Sequence, residues 1–169
     1  MIRPRTPADL PALCAALRAV HEADGYPSVW PDDPAGFVAP PGLAAWVAEH
    51  WTTGAGRQVA GQVTLRPAEA PLPEWVAVTG LTAAEVGIVS RLFVAPQAQG
   101  QGLARALFRA AWAEARRRGL RAVLDVHSGA AVPIRLYESE GWERVAALQA
   151  PWQDPDGTSP RIYVYRAPA

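Results

Sequence analysis

The chain has 169 residues, half of them apolar, and its 16 basic and 16 acidic side chains cancel. That length favours a single domain over 1–169 with a core that stands without staples, and the charge balance gives no electrostatic case for a nucleic-acid or membrane partner. No apolar run approaches the ~20 residues needed to span a bilayer, and the single cysteine, Cys14, excludes an internal disulfide framework.

The opening "MIRPRTPADL" has no apolar leader stretch, so the expectation is a cytoplasmic protein. Every basic side chain is arginine, so no lysine can serve as base or Schiff-base partner. We read that bias as a mark of a GC-rich, bacterial source.

The pattern starts with a short strand, "IRPR", and then a helix. Thr6 and Asp9 stand at capping-box spacing, Pro7 suits the first turn, and Gly25 suits the end. Leu10, Leu13, Cys14, Leu17 and His21 follow helical spacing. Residues 26–42 are rich in proline and glycine and read as an exposed loop with a short helical piece. "AAWVAEHW" and "RQVAGQVTLRP" read as a hairpin around "TTGAG". Residues 67–84 are a second long connection. "EVGIVSRLFV", residues 85–94, is an apolar strand covered on both faces. A glycine loop and a helix to about Arg118 follow, closed by Gly119. "LRAVLDVH" alternates as a strand, and "VPIRLYESE" is a short helix stopped by Gly141. "WERVAALQAPW" and "RIYVYRA" form a last hairpin. The fold class expected is α/β, a mixed sheet with helices on its faces.

The loop "QAQGQGLA" raises the functional question. Amides at a helix start have no partner inside the helix, and the helix dipole adds positive charge there. Gly100 and Gly102 lack Cβ, so a phosphate can come close. A tight turn with no ligand is the bland alternative. The Walker pattern is excluded because it needs lysine. The dinucleotide fingerprint needs a third glycine where Arg105 stands.

Val94-Ala95-Pro96 followed by Gln99-Gly100-Gln101-Gly102-Leu103-Ala104 resembles motif A of the GNAT N-acetyltransferase superfamily. "LYESEGW", residues 136–142, is similar to the family's Leu-Tyr-Glu-x-x-Gly-Phe, with Trp142 in place of phenylalanine. "IRPRTPADLPAL" looks like the family's first strand and helix. The resemblance covers nearly the whole chain and is weak over about 26–45 and 66–84. It implies a mixed sheet splayed between its fourth and fifth strands, with acetyl-CoA as cosubstrate. It implies that residues Gln99, Gly100, Gln101, Gly102, Leu103 and Ala104 hold the pyrophosphate. Leu92, Phe93 and Val94 would pair with the pantetheine arm, and a backbone N–H there would polarise the thioester. The implied reaction is direct acetyl transfer to a primary amine of a small molecule or peptide, with no metal. The alternative is an acetyl-CoA-binding sensor or interaction module with lost catalysis.

Tyr137 matches the family tyrosine that faces the CoA sulfur and is the candidate acid. A tyrosine packed on the sheet is the other reading. Glu85 opens the strand where relatives carry a glutamate base, and a solvated strand-end charge is the equal alternative. His127 has a suitable pKa for a relay but reads better as a locally bonded strand-end residue. Cys14 reads as core. Many relatives carry asparagine where this chain has Ala130, and alanine where it has Pro133. Tyr26, Trp30, Phe37 and Trp75 read as packed aromatics ahead of ligand walls. The scattered histidines show no metal-ligand spacing. The last hairpin is apolar enough to support a homodimer, an arrangement the resemblance also implies.

Overall fold

A computed structural model describes residues 1–169. Its seven strands run in the order β1-β2-β3-β4-β5-β7-β6, and the helices lie between them in sequence. By contact density the residues fall into two compact units, Met1–Arg66 with Val89–Ala113, and Pro67–Ile88 with Glu114–Ala169. The chain passes from one to the other inside its fourth strand and again inside its fourth helix.

In the first unit β1 (Ile2–Pro4) pairs antiparallel with β2 (Ala44–Thr52), which forms the expected hairpin with β3 (Gly56–Pro67). Helix α1 (Leu10–Asp24) follows a 3₁₀ turn, Pro7–Asp9. The capping box is present: the Thr6 N–H and hydroxyl donate to the Asp9 carboxylate at 2.7 and 3.1 Å, and the Asp9 N–H donates to the Thr6 carbonyl at 3.0 Å. Arg3 adds a fork onto the same carboxylate at 2.9 and 2.7 Å and reaches Glu49 at 2.7 Å. The guanidinium holds the buried Asp9 carboxyl down at about 2, chiefly through these hydrogen bonds. Gly25, at φ 72°, ends α1 in the left-handed conformation that glycine adopts without a Cβ clash.

The core of this unit joins Leu13, Leu17 and Val20 of α1 to Val38, Val47 and Phe93. Val38 ends the short helix α2 (Pro34–Val38), the helical piece expected within residues 26–42. Its carbonyl accepts from Arg5 Nη1 at 2.8 Å and from Gln62 Nε2 at 2.7 Å, and Gln62 is wholly buried. These bonds fasten a segment whose proline and glycine content gives it little propensity of its own.

In the second unit β4 (Val86–Val94) begins parallel to β5 (Arg121–His127), with pairing from Val86↔Arg121 to Ile88↔Val123. β7 (Arg161–Arg166) lies between β5 and β6 (Glu143–Gln149), antiparallel to both. Helix α5 (Ala131–Ser139) sets Tyr137 against Tyr165, ring centroids 5.8 Å apart. The Tyr165 hydroxyl donates to Glu138 at 2.7 Å; burial first, and then that carboxylate, pushes its pKa up to about 12. The alternation in "RIYVYRA" produces this arrangement: Tyr163 and Tyr165 share one face of the strand, while the buried Ile162 and Val164 share the other.

Two expectations need correction. The connection 67–84 holds a helix, α3 (Glu74–Ala77), because Val76 packs on Val86, Ile88 and Val123 with Trp75 and Leu81 beside it. Glu85 does not open β4. It ends a 3₁₀ turn, Ala83–Glu85, where Thr82 and Glu85 form a second capping box that fixes the turn before the strand begins.

Candidate active site

The strand β4, a 3₁₀ turn (Pro96–Ala98), the glycine loop and α4 (Leu103–Arg117) follow one another in the expected order. Gly100 and Gly102 sit at φ 77° and 76°, and a Cβ built on either would meet no atom within 4 Å. The space over both residues is therefore open, and both conformations suit glycine. A bond in the first turn of α4 runs from the Ala106 N–H to the Gly102 carbonyl at 3.1 Å. The amides from Gly100 to Ala104 donate to no backbone carbonyl. Open space over unpaired amides at the start of a 15-residue helix suits an anion such as a pyrophosphate.

Gln99 braces this loop. Its side-chain amide donates to the Val94 carbonyl at 3.0 Å and to Asp24 at 3.1 Å, joining the loop to the end of β4 and to α1. Phe93 and Val94 are buried and Leu92 is half-buried. Phe93 packs its ring into the α1 core, so it is chiefly backbone that this part of β4 has to offer a ligand.

Two residues near this strand were missed by the sequence reading. A Cβ on Gly61 of β3 would run into the Phe93 carbonyl oxygen and crowd Val94 Cα, so only glycine lets β3 lie this close. An isolated glycine inside an apolar strand was the available signal. Arg91 has φ 54° and is the one non-glycine residue of the chain with positive φ. Its Nε donates to the Phe37 carbonyl at 2.9 Å, and its guanidinium lies 3.8 Å from the centre of the Phe37 ring. Beside it the Thr64 hydroxyl donates to the Ser90 carbonyl at 2.9 Å. Nothing in residue type or spacing announces a left-handed arginine within a strand.

The remaining candidates lie in the second unit. Tyr137 is buried at 7% exposure with its ring against Tyr165. Glu85 is exposed, and one of its carboxylate oxygens accepts from the Thr82 N–H at 2.8 Å and the Thr82 hydroxyl at 2.9 Å. Those two bonds lower its pKa below the usual glutamate value.

A profile of the acetyltransferase (GNAT) domain matches residues 41–144, more than half the chain. The chain belongs to the GNAT acetyltransferase family. Solved structures agree in fold. Arabidopsis thaliana NAA60 in complex with a bisubstrate analogue superposes with a TM-score of 0.76 at 19% identity, covering 98% of this chain and 96% of that one. The ribosomal-protein-alanine N-acetyltransferase of Brucella melitensis gives 0.75 at 24% identity, covering 100% and 99%. The putative acetyltransferase yncA of Salmonella typhimurium, solved with acetyl-CoA, gives 0.72 at 21% identity, covering 99% and 92%. A comparison with curated protein sequences returns no match.

Within this GNAT domain the other titratable candidates have local partners. The Gly129 N–H donates to His127 Nδ1 at 3.0 Å, and His127 Nε2 lies 3.5 Å from Asp154 Oδ2. Both nitrogens are thus engaged, as the strand-end reading expected. His21 Nδ1 lies 2.6 Å from the Pro27 carbonyl, and its ring rests near Trp30. Cys14 packs beside the α1 core, and burial pushes its thiol pKa up, away from nucleophilic use. Tyr26, Trp30 and Phe37 pack on that same core. No group of three or more histidine, cysteine or acidic residues is placed to hold a metal. Ala130 occupies the N-cap of α5 without a side-chain bond, as a methyl group must. Arg105 is half-buried, whereas Arg117 and Arg118 pair with Glu114 at 2.6 and 2.8 Å. No helix is long and apolar enough to cross a membrane.

Proposed function

We propose that this GNAT domain transfers the acetyl group of acetyl-CoA directly to a primary amine of a small molecule or peptide. The observation that carries the reading is the pair of positive-φ glycines under open space at the start of α4, with unpaired amides beside them. The resolved complexes of the Arabidopsis protein with acetyl-CoA and of yncA with acetyl-CoA lend support by likeness of fold.

In this reading Gln99 to Ala104 hold the pyrophosphate with backbone donors, and Gln99 keeps the loop in register through Val94 and Asp24. The backbone at Leu92, Phe93 and Val94 receives the pantetheine arm as an added strand, with one N–H directed at the thioester oxygen. Bound acetyl-CoA supplies the activated carbonyl: the amine nitrogen bonds to that carbon, the C–S bond breaks, and sulfur leaves with the electron pair. Tyr137 donates a proton to the thiolate. Glu85 takes the proton lost by the amine, directly or through water. Its carboxylate also accepts two bonds from Thr82, so proton uptake there competes with the capping box.

The test is calorimetric titration with acetyl-CoA. Wild type binds in the micromolar range, and Gly102→Trp, which fills the phosphate space, does not bind; Gly102→Ala, which carries the same left-handed strain without the bulk, keeps measurable binding and separates a blocked site from a strained loop. Equal affinity in wild type and Gly102→Trp overturns the loop assignment. Amine-dependent release of CoA across a panel of amines then separates an enzyme from a CoA-binding sensor. Tyr137→Phe lowers turnover with little change in acetyl-CoA affinity, and unchanged turnover removes Tyr137 as the acid.

A further inference from the structure

We infer that the acceptor amine carries a carboxylate, as in an α-amino acid, and that Arg91 is the residue that binds it. This rests on the acetyl-transfer reading above. If the loop from Gln99 to Ala104 holds the pyrophosphate, the arm runs back along β4 through Val94 and Phe93 to Leu92. Its acetyl end then lies near Leu92, and Arg91 is the next residue of the strand. The amine has to arrive at that end.

Arg91 is built as a receptor for an oxyanion. Two other arginines of the first unit have protein partners for their Nη groups: Arg3 holds Asp9, and Arg5 holds the Val38 carbonyl and Gln62. Arg91 is held differently. The Phe37 carbonyl takes its Nε proton at 2.9 Å, and the Phe37 ring supports its face at 3.8 Å. Phe37 is in turn packed on the α1 core and lies 6.4 Å from the Tyr26 ring. The guanidinium is thereby fixed on one edge and one face. Its two Nη groups have no protein acceptor, and no carboxylate lies within ion-pair distance of it. They are not sealed in the interior either, since no buried, unpartnered Arg91 atom occurs. A half-buried guanidinium fixed in orientation, with two donors left over, matches the two oxygens of a carboxylate.

The backbone supports the same conclusion. A non-glycine residue at φ 54° is disfavoured and persists only where its surroundings hold it. Here the strand turns its arginine out of the normal alternation to reach Phe37. Glycine would give the same backbone without strain, so the cost is explained by what the side chain does. A carboxylate on the carbon next to the amine would meet the Arg91 fork while the nitrogen faces the acetyl carbon. Arg91 is then a specificity-determining residue that acts in binding rather than in proton transfer.

The experiment compares amino acids with their own carboxamides as acceptors, for example glycine against glycinamide and glutamate against its α-amide, in wild type, Arg91→Gln and Arg91→Lys. Wild type favours the acids by tenfold or more in kcat/KM, expressed mainly in KM. Arg91→Gln reduces that acid-to-amide ratio to near one, and Arg91→Lys restores part of it, because a point charge lacks the fork. Acetyl-CoA affinity stays at the wild-type value in all three proteins. A wild-type ratio near one, or a ratio unchanged by Arg91→Gln, overturns the inference. Loss of acetyl-CoA affinity in Arg91→Gln also overturns it, by giving the fork to the cosubstrate. A binding measurement covers the case in which no amine is acetylated and the transfer reading itself fails. The CoA-saturated protein should bind N-acetylglycine at least tenfold more tightly than N-acetylglycinamide, and that preference should vanish in Arg91→Gln. Equal binding of the two in wild type sinks the carboxylate site independently of turnover.

Discussion

The chain contains two capping boxes of the same design, Thr6 with Asp9 and Thr82 with Glu85, each closing a three-residue 3₁₀ turn. They differ in what stands opposite the acid. Asp9 is buried, and Arg3 grips it with two nitrogens. Glu85 is exposed and meets only its own threonine. The local signal is therefore the same, while the energetic weight comes from a partner that the local sequence does not contain. The same contrast separates a structural carboxylate from one still open to chemistry.

Asp9→Asn should show the largest effect of this comparison, a loss of about 2 to 3 kcal/mol in chemical denaturation. That is below the cost for a fully buried pair because Arg3 is 30% exposed in its side chain. The pH dependence should follow. Asp9 titrates at about 2 when folded, against 3.8 ordinarily, so its stabilisation is present above about pH 4 and disappears as pH falls towards 2. The size is about 2 kcal/mol, and the acid limb of stability should flatten by that amount in Asp9→Asn. Thr6→Ala should cost about 1 kcal/mol as the loss of a cap. Thr82→Ala should cost less, because no guanidinium depends on its acid.

Glu85→Gln should be the mildest in stability, with no measurable shift in melting temperature, since glutamine also serves in a capping box. Its effect belongs in turnover. If Glu85 is the base, kcat falls at least tenfold. In wild type the acid limb of kcat then lies below the ordinary glutamate range, because Thr82 lowers that pKa. Unchanged kcat would leave Glu85 with its capping role alone.

Much of the fold was legible because it is written locally. The 15-residue α1 between a capping box and Gly25, the hairpin around "TTGAG", and the glycines before α4 each carry their signal within a few residues. The glycine loop before α4 was legible for the same reason, since a helix start and its glycines need no distant partner. What escaped depends on residues far apart in the chain. Gly61 matters because the Phe93 carbonyl comes against it, Gln62 because Val38 presents a carbonyl to it, and Arg91 because Phe37 receives it. Glu85 was misplaced by one element because the apolar run of β4 masks the 3₁₀ turn before it.

The left-handed backbone at Arg91 also has a consequence for engineering. A search for stabilising substitutions would consider Arg91→Gly or Arg91→Asn, because either residue accepts φ 54° readily, a relief of about 1 kcal/mol set against the lost bond to the Phe37 carbonyl. A library selected only for heat resistance would thus read this position as a trade between backbone strain and the hold on Phe37, and would be blind to acceptor selectivity.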